Sequence, residues 1–328
     1  MHQVYLFYTP VRGVYSGHLV YTLFRKPVAL RKALYTLLFL VLVPLLVSCQ
    51  SSTEGKFGGY LYFAQSPYLM SFSMRDFSLV VVTHLGNKKI REISDFGEGR
   101  LLIAETASVN RRKVAQISWL DLKTGAVQAL YSGVHARYIA SADAIIYDDG
   151  SRLYTIVQED GTQISTQVLS HKRNQLLAMV EVSNGSMLLE VLEDGLPVIY
   201  SYRIEDGTLV TLDQLGRVCS LKGAVWISDL DQLACKERDS EGEGAAHDYV
   251  FADLEGRILS RPALPEGEKL LALAYISDQG VLVLKESWRS QIDGQEKSAV
   301  WVHDVRSGEN HELSDSLNLG SSVVYSVY

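Results

Sequence analysis

Cys49 has the surroundings that most directly suggest chemistry, because it follows a segment built like an export signal. Basic residues precede an apolar run from Ala33 to Val47, and the small residue Ser48 comes next. A basic flank, a short apolar core and a small residue at the boundary are the three parts of a secretory signal. The run is shorter than the roughly 20 residues of a comfortable bilayer span. We therefore predict a signal peptide over residues 1–48, cleaved between Ser48 and Cys49.

The four residues Leu46–Cys49 (LVSC) resemble the lipobox of bacterial lipoproteins. The resemblance implies that the Cys49 thiol carries a diacylglycerol, which makes the membrane a partner, and that residues 49–58 are a flexible tether. Gln50 in place of aspartate resembles the signal for the periplasmic face of the outer membrane in Gram-negative bacteria. Such signals seldom begin with so long an extension, so residues 1–29 are interpreted as a misassigned start. The alternative is an uncleaved anchor helix with an incidental cysteine.

The remaining sequence offers no recognisable catalytic or metal-binding motif. No GxSxG, HExxH, CxxC or P-loop pattern occurs, and the histidines after Cys49 lack ligand spacing. The acidic segment Glu237–Asp248 lacks the fixed spacing of a known calcium loop and is interpreted as a solvated surface loop. We therefore predict no catalytic residue, no metal and no cofactor.

Cys219 and Cys235 could form a disulfide in an oxidising envelope. If the turn at Ser228–Asp231 joins two antiparallel strands, Cys235 lies opposite residue 224. Cys219 is then about 17 Å further along, by strand rise. A disulfide needs Cα atoms within about 7 Å of each other. We therefore predict two reduced, buried thiols.

The charge of the exported part excludes one class of partner. Residues 1–48 hold five of the 31 basic residues and none of the 38 acidic ones, so residues 49–328 carry a net charge near −12. Nucleic acids and anionic lipids are polyanions that need basic surfaces. We expect no nucleic-acid partner.

Two interleaved series of turns repeat along residues 94–308. The first is a serine, usually with Asp or Asn and often Gly close behind, before an apolar run; its serines step by 47, 42, 45 and 49 residues. They are Ser94, Ser141, Ser183, Ser228 and Ser277. The second series consists of Asp-Gly and similar turns near residues 121, 158, 204, 253 and 304. Such turns between β-rich runs indicate hairpins, and four strands per 40–50 residues are typical of a propeller blade.

The sequence therefore predicts an all-β fold, a six-bladed β-propeller of four-stranded blades over residues 59–328. Five units are complete, and the sixth is split: Ser321–Tyr328 supplies its innermost strand, and the three runs after the tether supply the others. Closing the ring with strands from both termini removes an open edge. The alternatives are a β-sandwich and a seven-bladed propeller.

The recurrent S-D-x-G turn before an apolar strand resembles the TolB-like and WD-repeat-like propellers, the former six-bladed proteins of the bacterial envelope. The resemblance covers most of residues 59–328. The typical SPDG sequence is absent, because no serine here is followed by proline and aspartate. The resemblance implies the fold, and it implies no particular partner.

Unequal hairpin lengths suggest where a partner docks. The connections between second and third strands are tight at Tyr147–Ser151 and Leu192–Pro197, and long at Thr106–Lys113, Glu237–Asp248 and Glu286–Lys297. Loops on a rigid scaffold accumulate binding residues, and Trp and Arg are frequent interface anchors. We call the predicted protein-docking residues of the long loops the rim: Arg111, Arg112, Lys113, Trp288 and Arg289.

Three functions follow from this sequence. The leading one is a lipid-anchored, non-enzymatic module for protein–protein interaction or assembly in the bacterial envelope. The second is a receptor that binds a small molecule or glycan in the central channel, which the largely apolar innermost strands disfavour. The third is a propeller hydrolase or lyase with unidentified carboxylates.

Overall fold

Six four-stranded antiparallel sheets are found in the computed structural model of this protein. The structure describes residues 56–326, apart from 66–67, 87, 110–111, 160–161, 173–174, 184, 239–248, 266–268, 291, 315–316, 318 and 320–322. The innermost strands of neighbouring sheets lie side by side around an axis, so the sheets are the blades of a propeller. The predicted six-bladed propeller is confirmed, and the sandwich and seven-bladed alternatives are wrong.

Five blades follow one another along the chain, each written here from its innermost strand outwards. Blade 1 contains β4 (Lys89–Gly97), β5 (Arg100–Val109), β6 (Arg112–Asp121) and β7 (Val127–Tyr131). Blade 2 contains β8 (His135–Ile139), β9 (Ala144–Asp148), β10 (Arg152–Glu159) and β11 (Thr162–Ser170). Blade 3 contains β12 (Leu176–Val182), β13 (Ser186–Glu193), β14 (Leu196–Arg203) and β15 (Leu209–Thr211).

Blade 4 contains β16 (Cys219–Ile227), β17 (Gln232–Glu237), β18 (Tyr249–Ala252) and β19 (Ile258–Ser260). Blade 5 contains β20 (Lys269–Ile276), β21 (Val281–Arg289), β22 (Glu296–Asp304) and β23 (Asn310–Ser314). A short helix, α1 (Asp213–Val218), leads into blade 4, and a 3-10 helix over Ala140–Ala142 follows β8. No helix in the described part of the chain is long and apolar enough to cross a bilayer. The signal segment, Ser48 and Cys49 lie outside the described residues.

Blade 6 is split between the two ends of the chain, as the sequence predicts. Its strands, from the axis outwards, are β24 (Val323–Ser326), β1 (Tyr60–Gln65), β2 (Tyr68–Ser73) and β3 (Leu79–His84). β24 pairs antiparallel with β1, with Phe63 opposite Val323 and Tyr60 opposite Ser326. β24 also lies beside β20 and β4, so this pairing closes the ring between blades 5 and 1.

Apolar residues are buried between neighbouring blades. One core cluster joins Leu188 of blade 3 to Leu233 and Val250 of blade 4, and each of these side chains is fully buried. Alternate residues of a strand point to opposite faces of the sheet, so each blade presents apolar side chains to both of its neighbours. Burying both faces requires a closed ring of blades.

The two predicted turn series lie together on one face of the propeller. The backbone N–H groups of Leu122, Ile204 and Val305, in the second series, donate to the carbonyls of Gly99, Gly185 and Gly280 in the first. The Asp121 carboxylate illustrates the turn chemistry, since it accepts hydrogen bonds from the backbone N–H of Thr124 at 2.6 Å and from its hydroxyl at 2.9 Å. We name this the serine-turn face; the opposite, connection face carries the links between blades and the hairpins between second and third strands.

The Cys219–Cys235 disulfide corrects the predicted reduced thiols. Its Cα atoms are 5.6 Å apart. The prediction assumed an unbroken register, but β16 bulges between Ser220 and Val225. Val225 pairs with Ala234, whereas Ser220 pairs with Lys236, so the bulge brings Cys219 several residues closer to Cys235 than a regular hairpin would.

Removing this disulfide with Cys219→Ala plus Cys235→Ala is expected to lower the free energy of unfolding by about 3 kcal/mol, the chain-entropy value for a loop of roughly 15 residues. The two cysteines are 16 residues apart. Urea unfolding of the variant and of wild type with and without a thiol reductant measures the loss. The reductant should lower the stability of wild type and leave that of the variant unchanged. Equal stability of oxidised and reduced wild type would contradict the pairing.

Candidate functional site

The axis of the propeller is open from both faces. A cavity of about 540 Å³ opens on the serine-turn face, and a second of about 320 Å³ opens on the connection face. Both are bordered by the same five residues, Arg137, Met179, Ala224, Leu273 and Val323, which form the waist of the channel. Cavities of this size are in the range that holds small-molecule ligands.

The opening of the larger cavity on the serine-turn face, which we call the wide mouth, is bordered by serines of the sequence repeat. Four serines of the repeat, at or just after the ends of the innermost strands of blades 1 to 4, border the larger cavity: Ser94, Ser141, Ser183 and Ser228. The fifth serine of the series, Ser277, occupies the same turn of blade 5. A repeat identified as turn chemistry therefore also supplies hydroxyl groups to the channel mouth.

A charged network spans the waist between blades 1 and 2. The Arg137 guanidinium contacts one carboxylate oxygen of Glu92 at 2.8 Å, and His135 and the backbone N–H of Ala136 approach the other at 3.3 and 3.4 Å. Burial alone would raise the pKa of Glu92, but the Arg137 charge, with support from His135 and Ala136, holds that pKa below its usual value. Glu92 is thus an ionised partner of Arg137.

Glu181 lies at the wide mouth in a different environment. Its side chain is exposed to the channel, and it makes no hydrogen bond to the described residues. The surrounding channel wall, and to a lesser degree the charge of Asp95, raise the pKa of Glu181 against the opposing effect of Arg137. Glu181 and Asp95 therefore interact electrostatically at the wide mouth.

Polar atoms near the axis that lack partners among the described residues include the Ser94 hydroxyl, on a residue that is 5% exposed, and Nε of Arg137. Buried polar atoms in folded proteins are nearly always hydrogen-bonded, so each exception calls for an explanation. At a channel, a bound ligand is one such explanation.

The opening of the smaller cavity on the connection face, which we call the narrow mouth, is positively charged, whereas the wide mouth has the carboxylates Asp95 and Glu181. Arg91 and Lys222 border it, and both are exposed. The channel therefore runs from an acidic end on the serine-turn face to a basic end on the connection face. The sequence reading of apolar innermost strands misses this polarity because each strand contributes only one or two of these charged residues. Arg91 and Asp95 come from blade 1, whereas Glu181 comes from blade 3 and Lys222 from blade 4.

The structure places the described rim residues on two hairpins of the connection face. Lys113 lies exposed on β6, while Trp288 is half-buried and Arg289 is exposed at the end of β21. Trp288 and Arg289 border a cavity of about 340 Å³ together with Lys269 and Glu296. Arg111 lies outside the described residues, and only the backbone of Arg112 is described. Lys113 belongs to blade 1 and Trp288 to blade 5, with blade 6 between them.

Two of the predicted long loops are extended hairpins. β5 runs to Val109 and β6 begins at Arg112, with Ala107 opposite Val114, so the first connection is two residues. β21 and β22 likewise continue to Arg289 and Glu296. The acidic segment 239–248 lies outside the described residues. The described rim residues therefore stand on paired strands at the connection face.

A buried histidine–aspartate pair has the composition of an acid–base dyad. Nε2 of His171 is 3.1 Å from the Asp148 carboxylate, but the two side chains are only 1% and 3% exposed. No substrate reaches them, so the pair is structural. In the described part of the chain, no three metal-ligating side chains come together.

Comparisons with known proteins establish the fold. No protein-family model and no curated protein matches the sequence. Among solved structures, a chain of a nidogen–laminin complex aligns with a TM-score of 0.55 at 12% identity, over 82% of this chain and 98% of that one. TolB from Acinetobacter baumannii aligns with a TM-score of 0.53 at 12% identity, over 81% of this chain and 66% of that one.

A puromycin hydrolase is also similar, with a TM-score of 0.52 at 13% identity over 76% of this chain. This chain spans only 42% of the hydrolase, and 66% of TolB. These identities show a shared propeller fold and nothing of activity or partners. The chain is a six-bladed β-propeller. The structural neighbours include both enzymes and non-enzymes, so they assign no catalytic role.

Proposed function

We propose that this protein is a non-enzymatic docking module of the bacterial envelope, held at the periplasmic face of the outer membrane by an acylated Cys49, that binds a protein partner on its connection face. The observation that supports this proposal most directly is the face of the propeller at which the N-terminal tether joins it. The backbone N–H of Gly58 donates to Gln279 Oε1 at 3.2 Å, and Gln279 Nε2 donates to the Gly58 carbonyl at 3.0 Å. Gln279 belongs to a serine turn, so the tether joins the serine-turn face.

This entry point leaves the opposite face free for a partner. Six residues lie between Cys49 and Lys56, so the seven steps from one to the other span at most about 25 Å at full extension. A tether of that reach keeps the serine-turn face near the bilayer, and the rim then points into the periplasm. The half-buried Trp288 beside Arg289 supplies the aromatic and guanidinium anchors that interfaces favour.

Trp288→Ala with Arg289→Ala is expected to abolish capture of the partner, because interface energy is concentrated in a few such anchors. The measurement is a pull-down from detergent-solubilised membranes with the full-length acylated protein, quantified by mass spectrometry. The matched control, Leu230→Ala with Arg203→Ala, removes an exposed apolar and an exposed basic side chain from the serine-turn face. Cys49→Ser tests the anchor by membrane fractionation.

A partner captured equally by the rim variant and its control would contradict docking at the rim. Membrane association that survives Cys49→Ser would contradict the lipid anchor. These two outcomes are independent, so the experiment separates the docking surface from the tether.

The channel favours a second candidate function, binding of a small molecule or glycan along the axis. The observation behind it is the cavity of about 540 Å³, bordered by Glu181 and by Ser94, whose hydroxyl has no partner among the described residues. This function uses the other face of the molecule, so both functions can operate in one protein.

A further inference from the structure

The wide mouth of the channel has an excess of negative charge. Asp95 and Glu181 are the carboxylates among the described residues that border it, and Arg137 is the guanidinium. Arg137 makes its ion pair with Glu92 at 2.8 Å, although its charge still acts on Glu181 and partly offsets the rise in the pKa of that carboxyl. The mouth is therefore left with two carboxylates that contact no cationic side chain in the described part of the chain.

Hydrogen-bonding capacity at the mouth is also unused. Ser94 borders the cavity, and its hydroxyl has no partner in the described part of the chain although the residue is only 5% exposed. Glu181, two blades further round the ring, accepts no hydrogen bond at its carboxylate from the described residues. A ligand that donates hydrogen bonds and carries positive charge would satisfy both groups at once.

The aromatic side chains of the mouth suit an organic cation. Tyr138, Trp226 and Tyr275 border the same cavity. The indole N–H of Trp226 donates to Ser183 Oγ at 2.9 Å, and the Tyr138 hydroxyl donates to Asp143 at 2.8 Å, so both rings are held in place. Cations are attracted to the faces of such rings.

We propose that the wide mouth binds an aliphatic diamine or polyamine, with one ammonium group between Glu181 and Asp95. The inference rests on the second candidate function, ligand binding in the channel, and is independent of docking at the rim. A cavity of about 540 Å³ is far larger than a metal ion requires, and no metal-ligand cluster occurs among the described residues. A flexible chain with several ammonium groups fits both the volume and the charge.

The ionised Glu181 carboxylate lowers the stability of the folded protein, which is expected of a residue whose role is binding. Its pKa is raised in the folded protein, chiefly because the channel wall surrounds it. The ionised carboxylate therefore destabilises the folded state once the pH exceeds the pKa of the unfolded chain, and at acid pH, where both states are protonated, this effect disappears. Functional sites commonly contain groups that the fold alone would not retain.

The test is isothermal titration calorimetry with spermidine at low and at physiological ionic strength. Glu181→Gln is expected to weaken binding at least about tenfold, the effect of losing one charged hydrogen bond worth about 1.4 kcal/mol. The matched control is Glu205→Gln, which removes the same charge from the same blade and face but lies in the β14–β15 turn, away from the cavity. Diacetylputrescine, which lacks the charges, is the ligand control and should not bind.

Thermal unfolding of the same variants separates binding from folding. Glu181→Gln should unfold at an equal or higher temperature than wild type near pH 7, and the difference should vanish at acid pH. Asp95→Asn provides a second variant with the same expected loss of binding. Equal affinity of Glu181→Gln and Glu205→Gln for spermidine would overturn the proposal, since it would indicate only counterion attraction to an acidic face. Absence of spermidine binding by wild type at low ionic strength would overturn it as well, without bearing on the rim.

Discussion

Arg238→Ala is expected to lower the free energy of unfolding by about 3–5 kcal/mol, because it strands a buried carboxylate. Glu190 of β13 is 1% exposed, and one of its oxygens accepts a hydrogen bond from the Arg238 guanidinium. Its other oxygen accepts from the backbone N–H of Leu221 at 2.8 Å, and Nε of Arg238 donates to the Cys219 carbonyl at 2.9 Å. The pair therefore joins blade 3 to the bulged start of blade 4.

Urea unfolding of wild type and variant measures this effect. The control is Arg217→Ala in the exposed last turn of α1, which is expected to change stability by less than about 0.5 kcal/mol, as for most surface substitutions. The double variant Glu190→Gln with Arg238→Met removes both charges, so it should recover part of the loss. An effect of Arg238→Ala no larger than that of Arg217→Ala would show that Glu190 is not buried as the structure has it.

The sequence predicts the fold well because each blade repeats the same local chemistry. The turn at Asp121 forms from side-chain hydrogen bonds within four residues, so its signal is contained in a short stretch. The split blade follows from the count of repeats and from the apolar run at Ser321–Tyr328. Local turn signals of this kind are enough to predict each four-stranded blade, and the number of repeats then predicts a closed ring of six blades.

The channel could not be predicted in the same way because its groups meet only across blades. Glu92 and Arg137 are separated by one blade repeat, and their contact at 2.8 Å depends on how β4 and β8 pack at the axis. The disulfide was missed for a related reason, since a bulge between Ser220 and Val225 changes the register without a clear sequence signal. Long-range packing and irregular pairing thus decide the candidate site.

Deletion of β24, the strand that closes blade 6, is the second change for which we expect a large loss of folding stability. Deleting residues 321–328 removes β24, whose residues Val323 and Val324 are 6% and 7% exposed and pack into two different core clusters. Burial of two such side chains contributes about 3–6 kcal/mol, which is comparable with the total stability of about 5–15 kcal/mol typical of a folded protein. The deletion also removes the pairing of β24 with β1 and opens the ring. With both losses, the truncated chain should be largely unfolded at room temperature, as measured by circular dichroism and urea unfolding.

A synthetic peptide covering residues 319–328 should restore the fold of the truncated chain, because an open sheet edge pairs readily with an added strand. A circular permutant provides the stronger control. Ser326 lies opposite Tyr60, so the end of β24 is adjacent to the start of β1 and a short linker joins them. If pairing at the axis stabilises the ring, the permutant with new termini between residues 314 and 323 should match wild type in stability. A truncated chain as stable as wild type would show that the ring closes without β24. It would contradict the claim that the pairing of β24 with β1 stabilises the propeller.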